Sequence, residues 1–180
     1  MDDSNKLWSS VGSAGTVDTA DLAKVVFHNS VAQLGPGVPA VVAHSAQPAA
    51  ASAVLVTTRA VIRYGITPVD GLANPGQSNY TLKLRYRDGP GQVVARLIGV
   101  DIQTGTESSP LVSFDSEVDA GVNRRHDNAF QTQQHSGSFQ ELDFLNNAYY
   151  VELTLTASHN PNRPIPNPPA LSVIQLTLTA

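Results

Sequence analysis

Tyr80-Thr81-Leu82-Lys83-Leu84-Arg85-Tyr86-Arg87-Asp88 alternates apolar and polar residues without a break and runs into Asp88-Gly89-Pro90-Gly91. Successive side chains of an extended chain point to opposite faces, so Tyr80, Leu82, Leu84 and Tyr86 form an apolar face. Thr81, Lys83, Arg85 and Arg87 form the opposite, solvent-compatible one. The Gly-Pro turn and the strand-like run that follows it predict a β-hairpin. The same grammar recurs along most of the chain and decides the fold class.

Working outward, Gln92 to Ile102 is rich in Val, Leu and Ile on both faces with Arg96 interrupting, as expected of a strand between two covered layers. Ala53 to Thr67 places Val54, Val56, Ala60, Ile62, Tyr64 and Ile66 on one face, opposite Thr57, Arg59, Arg63 and Thr67. Tyr149 to Thr156 sets Tyr149, Val151, Leu153 and Leu155 against Tyr150, Glu152, Thr154 and Thr156. Ala170 to Leu178 reads as a closing strand with Ile174, Leu176 and Leu178 on one side. Further strands are expected at Ala23 to Leu34, Val38 to Ala43 and Leu111 to Phe114, and an irregular one, with a bulge, at Ser138 to Leu145.

The connections carry their own signals. Glu117 to Ser136 is a long polar segment without regular apolar spacing and reads as an extended surface loop. Five prolines between Pro161 and Pro169 impose an extended connector poor in backbone donors. Eight or nine strands, no long helical period and no fixed repeat give an all-β, antiparallel β-sandwich. A jelly roll is preferred because the long connections suit crossings between sheets; an immunoglobulin-like sandwich is the alternative and a closed barrel the third choice. Residues 1–21 read as an N-terminal arm or irregular lead-in, and 22–180 as one sandwich domain. Trp8, in that arm, needs shelter for its ring, in its own domain by preference or against a neighbouring subunit, and is the candidate interface residue.

Composition narrows the function classes. With 180 residues the chain can bury a core without a metal or crosslink as staple. It has no cysteine, which removes disulfides, thiolate nucleophiles and thiolate metal sites. A net charge of −4 supplies no basic footprint for nucleic acid. The polar Met1-Asp2-Asp3-Ser4-Asn5-Lys6 start encodes neither a signal peptide nor a membrane-inserting helix. Few lysines amid abundant Asn, Thr, Ser and Ala are compatible with an exported or surface-associated protein, without fixing a compartment.

No catalytic motif stands out. The five histidines, His28, His44, His126, His135 and His159, are scattered and form no His-x-His pair, so no metal site and no cofactor are expected. Asp115, Glu117 and Asp119 alternate but match no EF-hand loop. Glu141 and Asp143 lack the facing carboxylate that a glycosidase pair requires. The richest cluster is Arg124-Arg125-His126-Asp127-Asn128, where Arg125 could hold a carboxylate or phosphate and Asp127 and Asn128 could bond sugar hydroxyls. Tyr150, opposite the apolar face of its strand, is the candidate exposed ring.

The leading functional expectation is therefore a non-catalytic structural or assembly subunit of an oligomer, shell or appendage, acting through its surfaces on copies of itself or on another protein. A carbohydrate-binding module using Arg124 to Asn128 and Tyr150, with a glycan as partner, is the alternative. A metal-dependent enzyme of unrecognised type ranks third.

Overall fold

The computed structural model describes residues 7–35, 55–67, 79–118, 129–138, 142–160 and 165–179. Among them the chain forms eleven strands and two single turns of 3-10 helix, Gly12–Ala14 and Leu22–Lys24. In chain order the strands are β1 (Leu7–Val11), β2 (Thr16–Val17), β3 (Val25–His28), β4 (Val31–Leu34), β5 (Val56–Ile66) and β6 (Asn79–Arg87). They continue with β7 (Gly91–Asp101), β8 (Val112–Asp115), β9 (Gln131–Ser138), β10 (Asn147–His159) and β11 (Ala170–Thr179). Every pairing is antiparallel. One sheet has six strands in the order β3-β4-β11-β6-β9, with β1 also paired to β11; the other has five in the order β2-β5-β10-β7-β8.

The fold is the expected antiparallel β-sandwich, and the strands predicted from alternation bury the expected residues. Tyr80, Leu82, Leu84 and Tyr86 are fully buried, as are Ile62 and Tyr64 of β5, Leu97 of β7 and Leu153 of β10. They pack with Leu34, Phe114, Ile174 and Leu176 into one core between the sheets. Tyr86 of the six-stranded sheet meets Phe114 of the five-stranded sheet edge to face, with centroids 5.3 Å apart, the arrangement aromatic quadrupoles favour. The Tyr64 hydroxyl donates to the Gly12 carbonyl at 2.8 Å, so the one polar atom of that buried ring is satisfied.

The predicted hairpin at Asp88–Gly91 is not one. A β-turn does close there, with the Gly91 N–H donating to the Asp88 carbonyl at 3.0 Å. It joins β6 to β7, which lie in different sheets. Both edges of β6 are taken, by β11 and β9, and both edges of β7 by β10 and β8, so neither strand has an edge to offer the other. Alternation in a sequence reports a buried face and is silent about the hydrogen-bonded neighbour. Gly89 sits at φ 54° with its α-carbon against the Asn167 carbonyl, where a side chain would collide, so the corner is specific to glycine.

Elsewhere the structure adds strands. The single run expected over Ala23 to Leu34 is the hairpin β3–β4, turned at Asn29-Ser30 with Asn29 at φ 53°, a conformation asparagine tolerates. Half of the segment read as a loop over Glu117 to Ser136, residues 119–128, lies outside the described residues, but Gln131–Ser138 is strand β9, an edge strand of polar residues paired to β6. The irregular strand expected at Ser138 to Leu145 is replaced over 142–146 by coil and a turn. The expected strand at Val38 to Ala43 lies outside the described residues.

The lead-in is also structured where it is described. β1 pairs with β11 and β2 with β5, so residues 7–17 belong to both sheets. β11 gives one edge to two strands: Ala170 and Leu171 pair with β4, and Val173 to Thr177 with β1. Gly12 stands at this junction, its α-carbon against the Leu171 carbonyl and the Ala32 nitrogen, which leaves no space for a side chain. The register slips by one residue between Leu171 and Val173, and that bulge lets Leu171 and Ile174 both face inward.

Trp8, opposite Leu176 across the β1–β11 ladder, is 7% exposed and belongs to the core of its own chain. The interface role considered for it is therefore replaced by an internal one, since almost none of the ring remains to offer a neighbour. Trp8→Ala is expected to destabilise the protein by about 3–5 kcal/mol, the usual cost of emptying an aromatic site. Thermal melts should show the same loss at low and high protein concentration; a loss that vanished on dilution would place the ring at a subunit contact.

Candidate functional site

A sandwich buries one face of each sheet and leaves the other to solvent, so a surface site must be sought on the two outer faces and the loops. The two outer faces differ in how their polar groups are used. On the five-stranded sheet, Arg63 of β5 is held between Asp18 at 2.8 Å and Glu152 of β10 at 3.5 Å. Tyr150 donates to Glu107 Oε1 at 2.7 Å, and the Arg63 guanidinium lies 5.7 Å from the centre of its ring. Gln92 donates to both carboxylate oxygens of Asp115 at 2.9 Å. Partial burial, then the Glu107 hydrogen bond, pushes the Tyr150 phenol above its ordinary range, so it stays protonated and continues to donate.

Tyr150 is therefore a half-buried member of a satisfied network and not the exposed ring expected on that face. Its proposed companions Arg124, Arg125, His126, Asp127 and Asn128 lie outside the described residues. Of the histidines, His28 is exposed at the end of β3. His159 is buried, with Nε2 2.9 Å from Thr58 Oγ1 and Nδ1 3.1 Å from the Asn160 carbonyl. Among the described residues no three His, Asp or Glu side chains converge as a metal site would require.

On the six-stranded sheet the outer face is polar and largely uncommitted. Strand register places Ser9, Gln175, Lys83 and Gln134 side by side in one row across β1, β11, β6 and β9. Val11, Val173, Arg85 and Thr132 form the next row. The row beyond is already bonded internally, through Thr81 and Ser136 hydroxyls 2.8 Å apart. Lys83, Arg85, Thr132, Val173 and Gln175 line an open groove of about 260 Å³. Among the described residues Lys83 and Arg85 have no ion pair and Gln134 and Gln175 no hydrogen bond. The polar half of the opening sequence motif thus supplies the groove's two cations. Read alone it looks like any solvated strand face, and only register shows the amides and hydroxyls that flank it.

The carboxylates near the loops are also spent. Asp143 accepts from Asn146 Nδ2 at 2.7 Å and from the Leu145 and Asn146 N–H groups at 3.0 and 3.3 Å. Asp101 accepts from the N–H groups of Thr104 and Gln103 and from the Thr104 hydroxyl. The Asn146 bonds hold Asp143, and the Thr104 bonds hold Asp101, below the ordinary carboxylate pKa. For Asp21 the largest influence is burial, which acts upward, but the Lys24 and Val61 bonds outweigh it and the net shift is down. A carboxyl group held ionised in this way is a poor general acid at neutral pH.

No protein-family model matches this chain, and no curated protein does. Among solved structures it resembles the carbohydrate-binding module CBM6cm-2 of Cellvibrio mixtus lichenase 5A, solved in complex with cellotriose. That match has 9% identity and a TM-score of 0.40 and covers 96% of this chain and 98% of the module. It also resembles BiXyn10A CBM1 in its apo form, with 11% identity and a TM-score of 0.34 over 98% and 93% of the two chains. Similarity of this degree assigns no ligand to the chain.

Asp21, Asp101 and Asp143 each bind a proton less readily folded than unfolded, so their contribution to stability is complete above the unfolded pKa of about 3.9 and is lost as pH falls through the lower folded values. Thermal melts are expected to shift downward as pH is lowered below about 4. The triple variant Asp21→Asn, Asp101→Asn, Asp143→Asn should lose less stability over the same interval. An acid slope identical to that of the unsubstituted protein would refute the assignment.

Proposed function

We propose that the protein is a non-catalytic binding module for a polysaccharide, with its site on the outer face of the six-stranded sheet. The observation that carries this reading is the groove over Lys83, Arg85, Thr132, Val173 and Gln175, flanked by Gln134 and Ser9. Sugars present dense arrays of hydroxyls that both donate and accept. Amides, a threonine and a serine hydroxyl, and cationic donors answer them, while Val173 offers a small apolar contact for a ring's C–H face. At about 260 Å³ the groove is smaller than the roughly 300–1,000 Å³ pockets that engulf drug-sized molecules, which suits a segment of a longer chain lying across an open sheet.

The same face argues against a buried subunit contact as the main role. Obligate interfaces are more apolar than the rest of a surface and are depleted in lysine. The groove is lined by a lysine, an arginine, a threonine and a glutamine, and only Val11 and Val173 are apolar in the two central rows.

Native affinity gel electrophoresis against a broad panel of neutral and acidic polysaccharides tests the proposal. At least one is expected to retard the protein, and Thr132→Trp, which fills the groove from an exposed position, should reduce the retardation at least tenfold. A surface substitution of this kind should leave stability within about 0.5 kcal/mol. Failure of the whole panel, or retardation indifferent to Thr132→Trp, would sink the reading.

A further inference from the structure

Charge is distributed unevenly between the two sheets. The chain has 15 acidic and 11 basic residues, yet the six strands of one sheet contain no aspartate or glutamate. Their Lys and Arg residues are Lys83, Arg85 and Arg87, all on the outer face of β6. Arg87 is occupied structurally, its Nε donating to the Pro168 carbonyl at 3.1 Å and its guanidinium lying 5.3 Å from the centre of the Phe130 ring. Lys83 and Arg85 remain in the groove without a counter-ion among the described residues. The strands of the other sheet mix both signs: Arg63 pairs with Glu152 of β10 and with Asp18, while Arg59 and Arg96 have carboxylates on their own sheet but no ion pair among the described residues.

Resting on the polysaccharide reading, we infer that the ligand is acidic: a uronate-bearing chain whose carboxylates are held by Lys83 and Arg85. Two cations unpaired among the described residues, on strands that carry no carboxylate, leave a local positive potential that an anion neutralises and a neutral sugar does not. Residues two apart on a strand stand about 7 Å from each other, a sparse spacing suited to about one carboxylate per sugar rather than to dense sulfation. Arg85 supplies the planar fork that a carboxylate accepts bidentately, and Lys83 a point charge beside it. Gln134, Gln175 and Thr132 are left for the hydroxyls a uronate keeps. The outer faces of β1, β6, β9 and β11 carry no aromatic ring for stacking, and Phe130 already has Arg87 against it. Charge takes the place of the stacking platform.

The test compares polygalacturonate, the same polymer with its carboxylates reduced to hydroxymethyl groups, a neutral glucan and a sulfated dextran, by affinity electrophoresis and calorimetry on the full chain. Polygalacturonate is expected to bind best, with affinity falling at least tenfold on carboxyl reduction. Lys83→Gln and Arg85→Gln should each lower it about tenfold, the scale of one charge-assisted hydrogen bond. Binding should also weaken as salt shortens the Debye length from about 10 Å toward about 3 Å. Equal binding of the reduced polymer or the neutral glucan, unaffected by either glutamine variant but abolished by Thr132→Trp, would overturn the acidic preference and leave the polysaccharide reading standing. Stronger binding of the sulfated polymer through Lys83 and Arg85 would overturn the carboxylate assignment. Binding of none of the four, with none in the broader panel, would overturn both.

Discussion

The structure depends on two sheets sharing one interior that neither can build alone. Among the described strands only β3 to β4 and β7 to β8 step to a neighbour in the same sheet; every other step crosses the sandwich. Tyr80, Leu82, Leu84 and Tyr86 therefore have no apolar surface to meet until β5, β7 and β10 are in place, and the Tyr86–Phe114 contact joins residues from opposite layers. Such non-local closure must be reached before the contacts reward it, so a slow, cooperative transition follows from the topology. It also explains why β1 belongs to the fold: Trp8 fills the interior beneath the edge of β11 that β4 leaves open.

Once the inward faces are committed, the outward ones are free to differ. The five-stranded sheet turns its polar groups on one another, through Asp18, Arg63 and Glu152, through Tyr150 and Glu107, and through Gln92 and Asp115. The six-stranded sheet does so only in the row of Thr81 and Ser136, and of the groove's lining Lys83, Arg85, Val173 and Gln175 stand on β6 and β11, the strands at its centre. Groups mounted on central strands are held in register by two ladders and lose less freedom on binding than the same groups on a loop.

The strands with alternating faces were legible from sequence because burial on one side enforces period two. β5, β6, β7, β10 and β11 fall close to where the pattern puts them. β9 was not, because Gln131, Gln133 and His135 on its inward side are polar, leaving no apolar period to detect. The turn at Asn29-Ser30 was written in the sequence but hidden by the β-branched and aromatic residues on either side of it. The Asp88–Gly91 corner shows the deeper limit: a tight turn between two alternating strands reads identically whether it joins neighbours or crosses a sandwich. The groove was illegible for the same reason. Lys83 and Arg85 are visible in the opening motif, but their neighbours come from residues 9, 132, 134, 173 and 175, which only register brings together.

Segregation of charge gives that groove its directionality. In a chain whose net charge is −4, a free lysine and arginine scattered among carboxylates would be neutralised locally. Among the described residues the carboxylates lie on the other sheet or in turns, where Asp101, Asp143 and Asp115 accept hydrogen bonds from backbone and amide donors. The low-dielectric sandwich beneath the six-stranded sheet limits the solvent that can screen Lys83 and Arg85 from below, so their field extends outward over the open face. An overall acidic protein can thus repel polyanions at long range and still accept one at short range, within a Debye length of the face. On the proposed reading, selectivity for an acidic chain would come from the separation between the two sheets' charges and not from their sum.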